Sequence, residues 1–292
     1  MCGIVGLFLK RPGLEADLGG HLAAMLVTMR DRGPDSAGFA VYGAEDGSSK
    51  LTVRGPAGTD FAALARSLDV GATVRDTHAV LHVAPGRIEA VRNGLSQLAP
   101  EVAVVGEGRS MELYKEVGLP ADVAARFGLQ SMSGTHGIGH TRMATESAVT
   151  TDGAHPYTTG EDQCLVHNGS LSNHNSLRRK LVREGFRFQT ENDTEVAAAY
   201  LSWRMREGDT LEGALEAGLE ELDGFYTLVV GTRTGFAVLR DPVCCKPAVM
   251  AETDEWVAFG SEYRALVDLP GIGHARVWEP EPARVYAWER AA

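Results

Sequence analysis

The sequence is short of several things at once, and each shortage removes a class of protein. Four cysteines (Cys2, Cys164, Cys244 and Cys245) in 292 residues are too few and too unevenly placed for the disulfide framework of a secreted scaffold. A reducing, cytoplasmic location is therefore expected. No apolar run approaches the roughly 20 residues that a membrane-spanning helix needs, so no membrane partner is expected. The opening MCGIVGLFLKRP has no basic stretch before its apolar residues and no small-residue cleavage site after them, unlike a secretory signal. Basic charge is in deficit: 28 Lys and Arg face 39 Asp and Glu, a net charge of −11. Such a surface repels phosphate backbones, so nucleic acid is not an expected partner. A P-loop is missing, and Gly106-Glu107-Gly108 is too short for a dinucleotide fingerprint. Cys244-Cys245 has no second pair at ligand spacing, and the four thiolates of an iron–sulfur cluster are lacking. No metal or cofactor is expected in this chain, and the remaining cysteines read as buried apolar residues.

What is present is an ordinary globular composition, 44% hydrophobic and 23% charged, with 34 glycines that suggest many strands and turns. Residues 4–9 read as an apolar strand, and residues 14–29 as a helix with Leu18, Leu22, Met25, Leu26 and Met29 at helical spacing. A loop at 32–38 leads into a strand at 39–42, with a hairpin partner expected at 51–53. From about 56 to 133 the texture changes to strand-like pieces (78–83, 102–105) alternating with helix-like ones (61–68, 109–117, 121–127), an inserted subdomain. Strands are expected at 137–143 and 163–167, helices at 177–184, 194–205 and 211–222, and then a β-rich last third. Strands grouped before and after a helical block predict antiparallel α+β layering over a single domain, 1–292.

Cys2 follows the initiator methionine and is small enough for aminopeptidases that remove Met1. Removal would place a thiol and a free α-amine on one residue. An amine with a pKa of about 7.7–8.0 can take the thiol proton and return it to a leaving group. N-terminal nucleophiles that use their own amine as base need no His–Asp pair. Taken alone, a cysteine at position 2 is also an unremarked residue at a strand start.

Six segments occur in order: MCGIVGLF, RGPDSAG, GIGHTRMATES, AHP, HNGSLSN and NDTEVAAAYL. Together they resemble the class II glutamine amidotransferases, the N-terminal-nucleophile hydrolases that include the glutaminase domains of glucosamine-6-phosphate synthase, amidophosphoribosyltransferase, asparagine synthetase and glutamate synthase. The resemblance covers nearly all of the chain outside 56–133. It implies a four-layer α/β/β/α fold with two stacked antiparallel sheets.

The resemblance also implies roles. Cys2 matches the nucleophile, and Asn168 with Gly169 matches the oxyanion hole. Arg142 matches the clamp on the α-carboxylate of glutamine, for which a planar guanidinium is well shaped. Thr145 matches a neighbour touching the same substrate, and His155 a histidine lining the site. Asp193 matches the acid that holds the α-ammonium. Arg32 matches an arginine expected to organise the Cys2 terminus without touching substrate. Structural readings stand beside these: His155 as a packed histidine, Asn168-Gly169 as a tight turn, and Asp193 or Thr194 as a helix N-cap. Asp241-Pro242 and Lys246-Pro247 match a loop expected to be structural. Glu146 departs from the His or Gly of several relatives, so closure over the glutamine is expected to differ.

The expected function is hydrolysis of the glutamine side-chain amide, with ammonia or a glutamyl group passed to a partner synthase. No sugar-isomerase, phosphoribosyltransferase or ATP-binding segment is visible, so a separate subunit of a hetero-oligomer is expected. The insertion points to glutamate-synthase-like assemblies, specifically the amidotransferase subunit of N-methylglutamate synthase, whose partner subunits would carry flavin and an iron–sulfur cluster. The rival readings are a non-catalytic regulatory or scaffold subunit retaining the fold, which a retained Met1 would favour, and the glutaminase subunit of another amidotransferase.

Overall fold

The computed structural model describes residues 2–144 and 148–290. In chain order the first half contains β1 (Gly3–Leu9), α1 (Leu18–Thr28), β2 (Ser36–Tyr42), β3 (Ser49–Arg54), α2 (Phe61–Leu68), β4 (Gly71–Arg75), β5 (His78–Val83), α3 (Ile88–Leu98), β6 (Ala103–Gly108), β7 (Met111–Val117), α4 (Pro120–Arg126) and β8 (His136–Arg142). The second half adds β9 (Tyr157–Gly160), β10 (Gln163–Leu171), α5 (His174–Arg183), α6 (Asp193–Arg206), α7 (Leu211–Glu221), β11 (Gly224–Gly231), β12 (Gly235–Arg240), β13 (Val249–Glu252), β14 (Trp256–Gly260), β15 (Arg276–Trp278) and β16 (Val285–Glu289).

Two antiparallel sheets are stacked. The seven-stranded one runs β15-β13-β14-β1-β8-β2-β7, and the five-stranded one β16-β12-β11-β10-β9. Alternation along β1 explains the stacking. Val5, Leu7 and Leu9 face α1 and α4, whereas Ile4 and Phe8 face the second sheet, where they meet Val166, Val229 and Phe236. A strand with both faces apolar must be covered twice. The second sheet repeats the pattern: Val166 faces inward between the sheets, while Leu165, Leu228 and Val230 pack beneath α5, α6 and α7. The result is the expected α/β/β/α sandwich. Helix α6 lies deepest in its layer, its run from Thr194 to Ser202 buried throughout. Among the described residues no helix is long and apolar enough to cross a membrane.

Four sequence-based expectations are corrected. The strand at 51–53 is no hairpin partner of β2. Instead β2 pairs with β7 and β8, and β3 pairs with β5 and β6. Residues 109–117, read as helical, form strand β7, because pairing with β2 along its whole length outweighs the helix preference of Met, Leu, Lys and Glu. A third sheet, β4-β5-β3-β6, packs against α2 and α3 around Phe61, Leu81 and Leu95. This unit therefore spans 49–108, and residues 111–142 return to the main sheet. The predicted helix at 14–29 starts later, as α1 at Leu18 after one 3-10 turn.

Candidate active site

Cys2 sits immediately ahead of β1, the central strand of the larger sheet. The Ile4 N–H donates to Ser261 Oγ at 2.9 Å, and the Ser261 N–H donates to the Ile4 carbonyl at 2.9 Å, which pins the strand start. The carbonyl of Cys2 accepts from Arg32 Nε at 2.9 Å and from Asn168 Nδ2 at 3.2 Å. Arg32 in turn pairs through Nη1 with Glu262 at 2.8 Å. That hydrogen bond, with Arg264 assisting, holds the Glu262 carboxyl below its usual range. Arg32 and Asn168 thus grip the Cys2 backbone from opposite sides, one from the turn after α1 and one from β10.

Beside Cys2 opens a cavity of about 660 Å³, whose wall includes Arg142, His155, His167, Gly169, Asp193 and Lys246. The fold brings these residues together from five places. Arg142 ends β8, and Gly169 lies on β10, Asp193 at the start of α6, His155 on the segment before β9, and Lys246 on the loop after β12. Gly169 has φ +155°, and a Cβ there would lie 2.0 Å from the Phe225 carbonyl oxygen, so only glycine fits this strand crossing. Thr145 and Glu146 lie outside the described residues.

The acidic end of the cavity is built around the start of α6. Its N-cap is Asn192, whose side chain accepts from the Thr194 N–H at 2.9 Å, so the expectation of Asp193 or Thr194 as cap is corrected. Freed from capping, Asp193 accepts from the Leu171 N–H at 2.9 Å through Oδ2, with Oδ1 3.7 Å from His167 Nδ1. The Thr194 hydroxyl lies between His155 Nε2 at 2.8 Å and His167 Nδ1 at 2.9 Å. His140 stacks on His155 with ring centres 4.0 Å apart. Its Nε2 is 3.1 Å from the His167 carbonyl, which only accepts, so the His140 proton is on Nε2. Burial keeps His140 and His155 neutral and works against the nearby Asp193 carboxylate at His167. It pushes His140 down to about 3 and His155 well below its ordinary value, and it lowers His167 as well.

Two residues that sequence reasoning passed over hold the loop whose Thr190 and Asn192 line the cavity. Arg178 donates to the carbonyls of Thr190 and Asn192 at 2.7 and 3.2 Å. Glu195 accepts from the N–H groups of Gln189 and Thr190 at 2.7 and 2.8 Å, so the loop before α6 is held from both sides. Lys246 stands with its ammonium 4.9 Å from the Phe225 ring centre and faces the cavity, which corrects its reading as purely structural. Neither Cys244 nor Cys245 is in the core. Cys244 is half-buried with φ +53° and Cys245 is exposed, in a turn whose Cys244 and Lys246 carbonyls accept from Arg240 Nη2 at 2.8 Å. Cys164 is fully buried, its Sγ 3.2 Å from the Tyr42 hydroxyl. A cavity lined by Cys2, with cations at Arg142 and Lys246 and an anion at Asp193, suits a small zwitterion bearing an acyl group.

The comparisons with known proteins agree with this geometry. The family description "Glutamine amidotransferase domain" matches residues 140–268. The chain is 62% identical to the glutamine amidotransferase-like protein GlxB of Rhizobium meliloti, over 99% of this chain and 98% of that protein. It is 33% identical to a putative glutamine amidotransferase of Methanothermobacter thermautotrophicus, over 98% and 99% of the two chains. Among solved structures, the glutamine phosphoribosylpyrophosphate amidotransferase of B. subtilis superposes with a TM-score of 0.64 at 20% identity, covering 99% of this chain and 47% of that one, a likeness of fold. The chain belongs to the class II glutamine amidotransferases.

Proposed function

We propose that the chain hydrolyses the side-chain amide of glutamine through Cys2, made N-terminal by removal of Met1, and passes the nitrogen to a partner synthase. One observation carries the reading: the Cys2 thiol, the Arg142 guanidinium, the Asp193 carboxylate and the Gly169 crossing meet at a single cavity. Arg142 takes the α-carboxylate and Asp193 the α-ammonium, which lays the side-chain amide toward Cys2. The thiol proton goes to the Cys2 amine, and the thiolate attacks the amide carbon. Gly169 N–H and Asn168 Nδ2 hold the resulting oxyanion. The C–N bond breaks as the Cys2 ammonium protonates the departing nitrogen, leaving a γ-glutamyl thioester. Water then adds to the thioester, giving glutamate and restoring the thiol. His155, kept neutral, lines the pocket beside the head group.

The nitrogen acceptor is proposed to lie on a partner, the chain serving as the amidotransferase subunit of a glutamate-synthase-like hetero-oligomer such as N-methylglutamate synthase. Flavin and an iron–sulfur cluster would then reside on the partner subunits. Two measurements test the reading. Intact mass of the protein from its native host is expected to show loss of Met1; a retained Met1 would favour the regulatory or scaffold role instead. Cys2→Ala is expected to abolish glutamine hydrolysis with the fold intact, and undiminished turnover would overturn the mechanism.

A further inference from the structure

Strand β7 carries a lysine whose charge serves the cavity from behind. Lys115 is only 6% exposed, on a strand otherwise packed against β2. Its ammonium lies 3.2 Å from the Asp152 carbonyl, 2.9 Å from that of Ala154 and 3.4 Å from that of Pro156. The face of Tyr157 lies 4.4 Å from the same nitrogen. Three carbonyls from alternate residues converge on one cation that has three N–H donors, so each donor has one acceptor. Gly38, opposite Lys115 in the sheet, makes room: a Cβ there would lie 2.6 Å from the Lys115 Cβ and 2.1 Å from the His155 carbonyl oxygen. Burial pushes the Lys115 amine down to about 8, opposed by Asp152 and Glu195. At neutral pH it is therefore charged. The next residue of β7, Glu116, accepts from the Thr151 hydroxyl, so the strand holds this segment at two successive positions.

Segment 150–156 is the wall in question. Thr150, Gly153 and His155 line the cavity beside Cys2, and Gly153 approaches Arg142 so closely that a Cβ on it would lie 3.2 Å from Arg142 Nη1. The carbonyls of Asp152, Ala154 and Pro156 are gathered on Lys115, with that of Asp152 also accepting from the Tyr157 hydroxyl, and Lys115 itself lines a neighbouring cavity of about 500 Å³ that shares Thr190 with the first.

We propose that Lys115 is a positioning residue for the substrate cavity: by gathering the carbonyls of Asp152, Ala154 and Pro156 it sets the wall that presents Gly153 and His155 beside Arg142. The inference rests on the reading of that cavity as the glutamine site. Burying a charge is costly unless its hydrogen bonds are met, and here they are met entirely by one cavity wall. Removing the charge leaves three carbonyls converging on an empty place, and the wall must relax.

The test uses the full chain with Lys115→Met, Lys115→Arg and Lys115→Ala. For Lys115→Met the KM for glutamine is expected to rise about tenfold or more with kcat within about threefold, since the residue acts on binding geometry and not on the reacting atoms. Amide exchange at residues 152–157 is expected to quicken in the absence of glutamine. Propylammonium is expected to restore part of the lost KM in Lys115→Ala and to leave the wild type unchanged. A KM within twofold of wild type in a folded Lys115→Met chain, or unaltered exchange across 152–157, overturns the proposal. Should Lys115→Met fail to fold, the propylammonium response of Lys115→Ala and the exchange pattern of Lys115→Arg decide. A wild-type chain that hydrolyses no glutamine would sink the functional reading, and the exchange comparison would still decide whether Lys115 holds the wall.

Discussion

The side-chain amide of Asn168 donates to the carbonyl of Cys2 at 3.2 Å, joining the two stacked sheets at the point where chemistry is proposed. Asn168 is on β10 of the five-stranded sheet, and Cys2 leads into β1 of the seven-stranded one. Its alternation explains the reach. Asn168 points inward, between the sheets, while His167 and Gly169 on either side face the α6 layer and the cavity. One N–H of Nδ2 therefore fixes the backbone of the proposed nucleophile, and the second N–H of the same amide is proposed for the oxyanion.

That division of labour sets the first prediction. Asn168→Ala is expected to lower kcat by roughly 10²–10³-fold, the usual cost of losing one oxyanion donor. KM is expected to change little, because Asn168 is absent from the surface that meets the head group. Steady-state glutamine hydrolysis checks it, and a kcat within about threefold of wild type would remove Asn168 from the oxyanion site.

Neighbouring residues at the start of α6 are expected to separate binding from stability. Asn192→Ala removes the cap that holds the Thr194 N–H and is expected to cost about 1 kcal/mol in urea unfolding. Asp193→Asn keeps an oxygen for the Leu171 N–H but loses the charge proposed to meet the α-ammonium. Its KM is expected to rise about 10- to 100-fold, the scale of a charged hydrogen bond, with stability little altered. An unchanged KM in Asp193→Asn would place the ammonium elsewhere.

How far the sequence disclosed this arrangement depends on the range of the forces involved. The apolar run of residues 4–9 and the helix-like stretch 194–205 are local signals, and β1 and α6 follow them. Ordered motifs named Cys2, Arg142, His155, Gly169 and Asp193, and the fold gathers all five at one cavity. Strand β7 was illegible because Met111-Glu-Leu-Tyr-Lys-Glu-Val has apolar residues that fit either period, and only β2, about 75 residues earlier, selects the strand. The same non-local pairing took β2 away from β3. Lys115 and Lys246 look like surface lysines in sequence, since nothing local tells that three carbonyls or an aromatic face await them. Asn192 and Asp193 differ by one position in their roles, a distinction finer than boundary reasoning resolves.

Buried neutral histidines make stability depend on pH. His78, His136 and His140 are fully buried, and burial pushes each down to about 3. In the unfolded chain each titrates near about 6.5. Between those values the unfolded state binds more protons, so stability is greatest above pH about 6.5 and falls as the pH drops toward 3, by at most about 1.4 kcal/mol per pH unit for each histidine. Urea midpoints are expected to decline steadily from about pH 7.5 to about pH 5. His78 packs against Phe127 with ring centres 4.7 Å apart, and its Nε2 has no hydrogen-bond partner among the described residues, so His78→Phe is expected to flatten the slope. A midpoint constant over that range would contradict the neutral, buried assignment.

One buried carboxylate ties the turn between the third sheet and β7 to the second sheet, beside ion pairs such as Lys50–Glu112 and Arg54–Asp152. Asp162, only 3% exposed in the turn between β9 and β10, accepts through Oδ2 from the Arg109 N–H at 2.8 Å. Its Oδ1 accepts from the Ser110 N–H at 3.0 Å, the Ser110 hydroxyl at 3.1 Å and the Met111 N–H at 2.8 Å. The Asp162 N–H donates back to the Glu107 carbonyl at 2.9 Å. A buried carboxylate with four donors is stable only because its hydrogen bonds are met, and removing it leaves the N–H groups of the β6–β7 turn unsatisfied. Asp162→Ala is therefore expected to cost about 3 kcal/mol, and Asp162→Asn, which can still accept on one oxygen, about half of that. Because β7 carries Lys115, the alanine variant is also expected to weaken glutamine binding while leaving the Cys2 thiol reactive toward a small alkylating agent. Urea unfolding and KM measured on the same preparations check both parts. A loss below about 0.5 kcal/mol would mean that the turn finds its hydrogen bonds elsewhere, and that the third sheet is anchored by its other contacts.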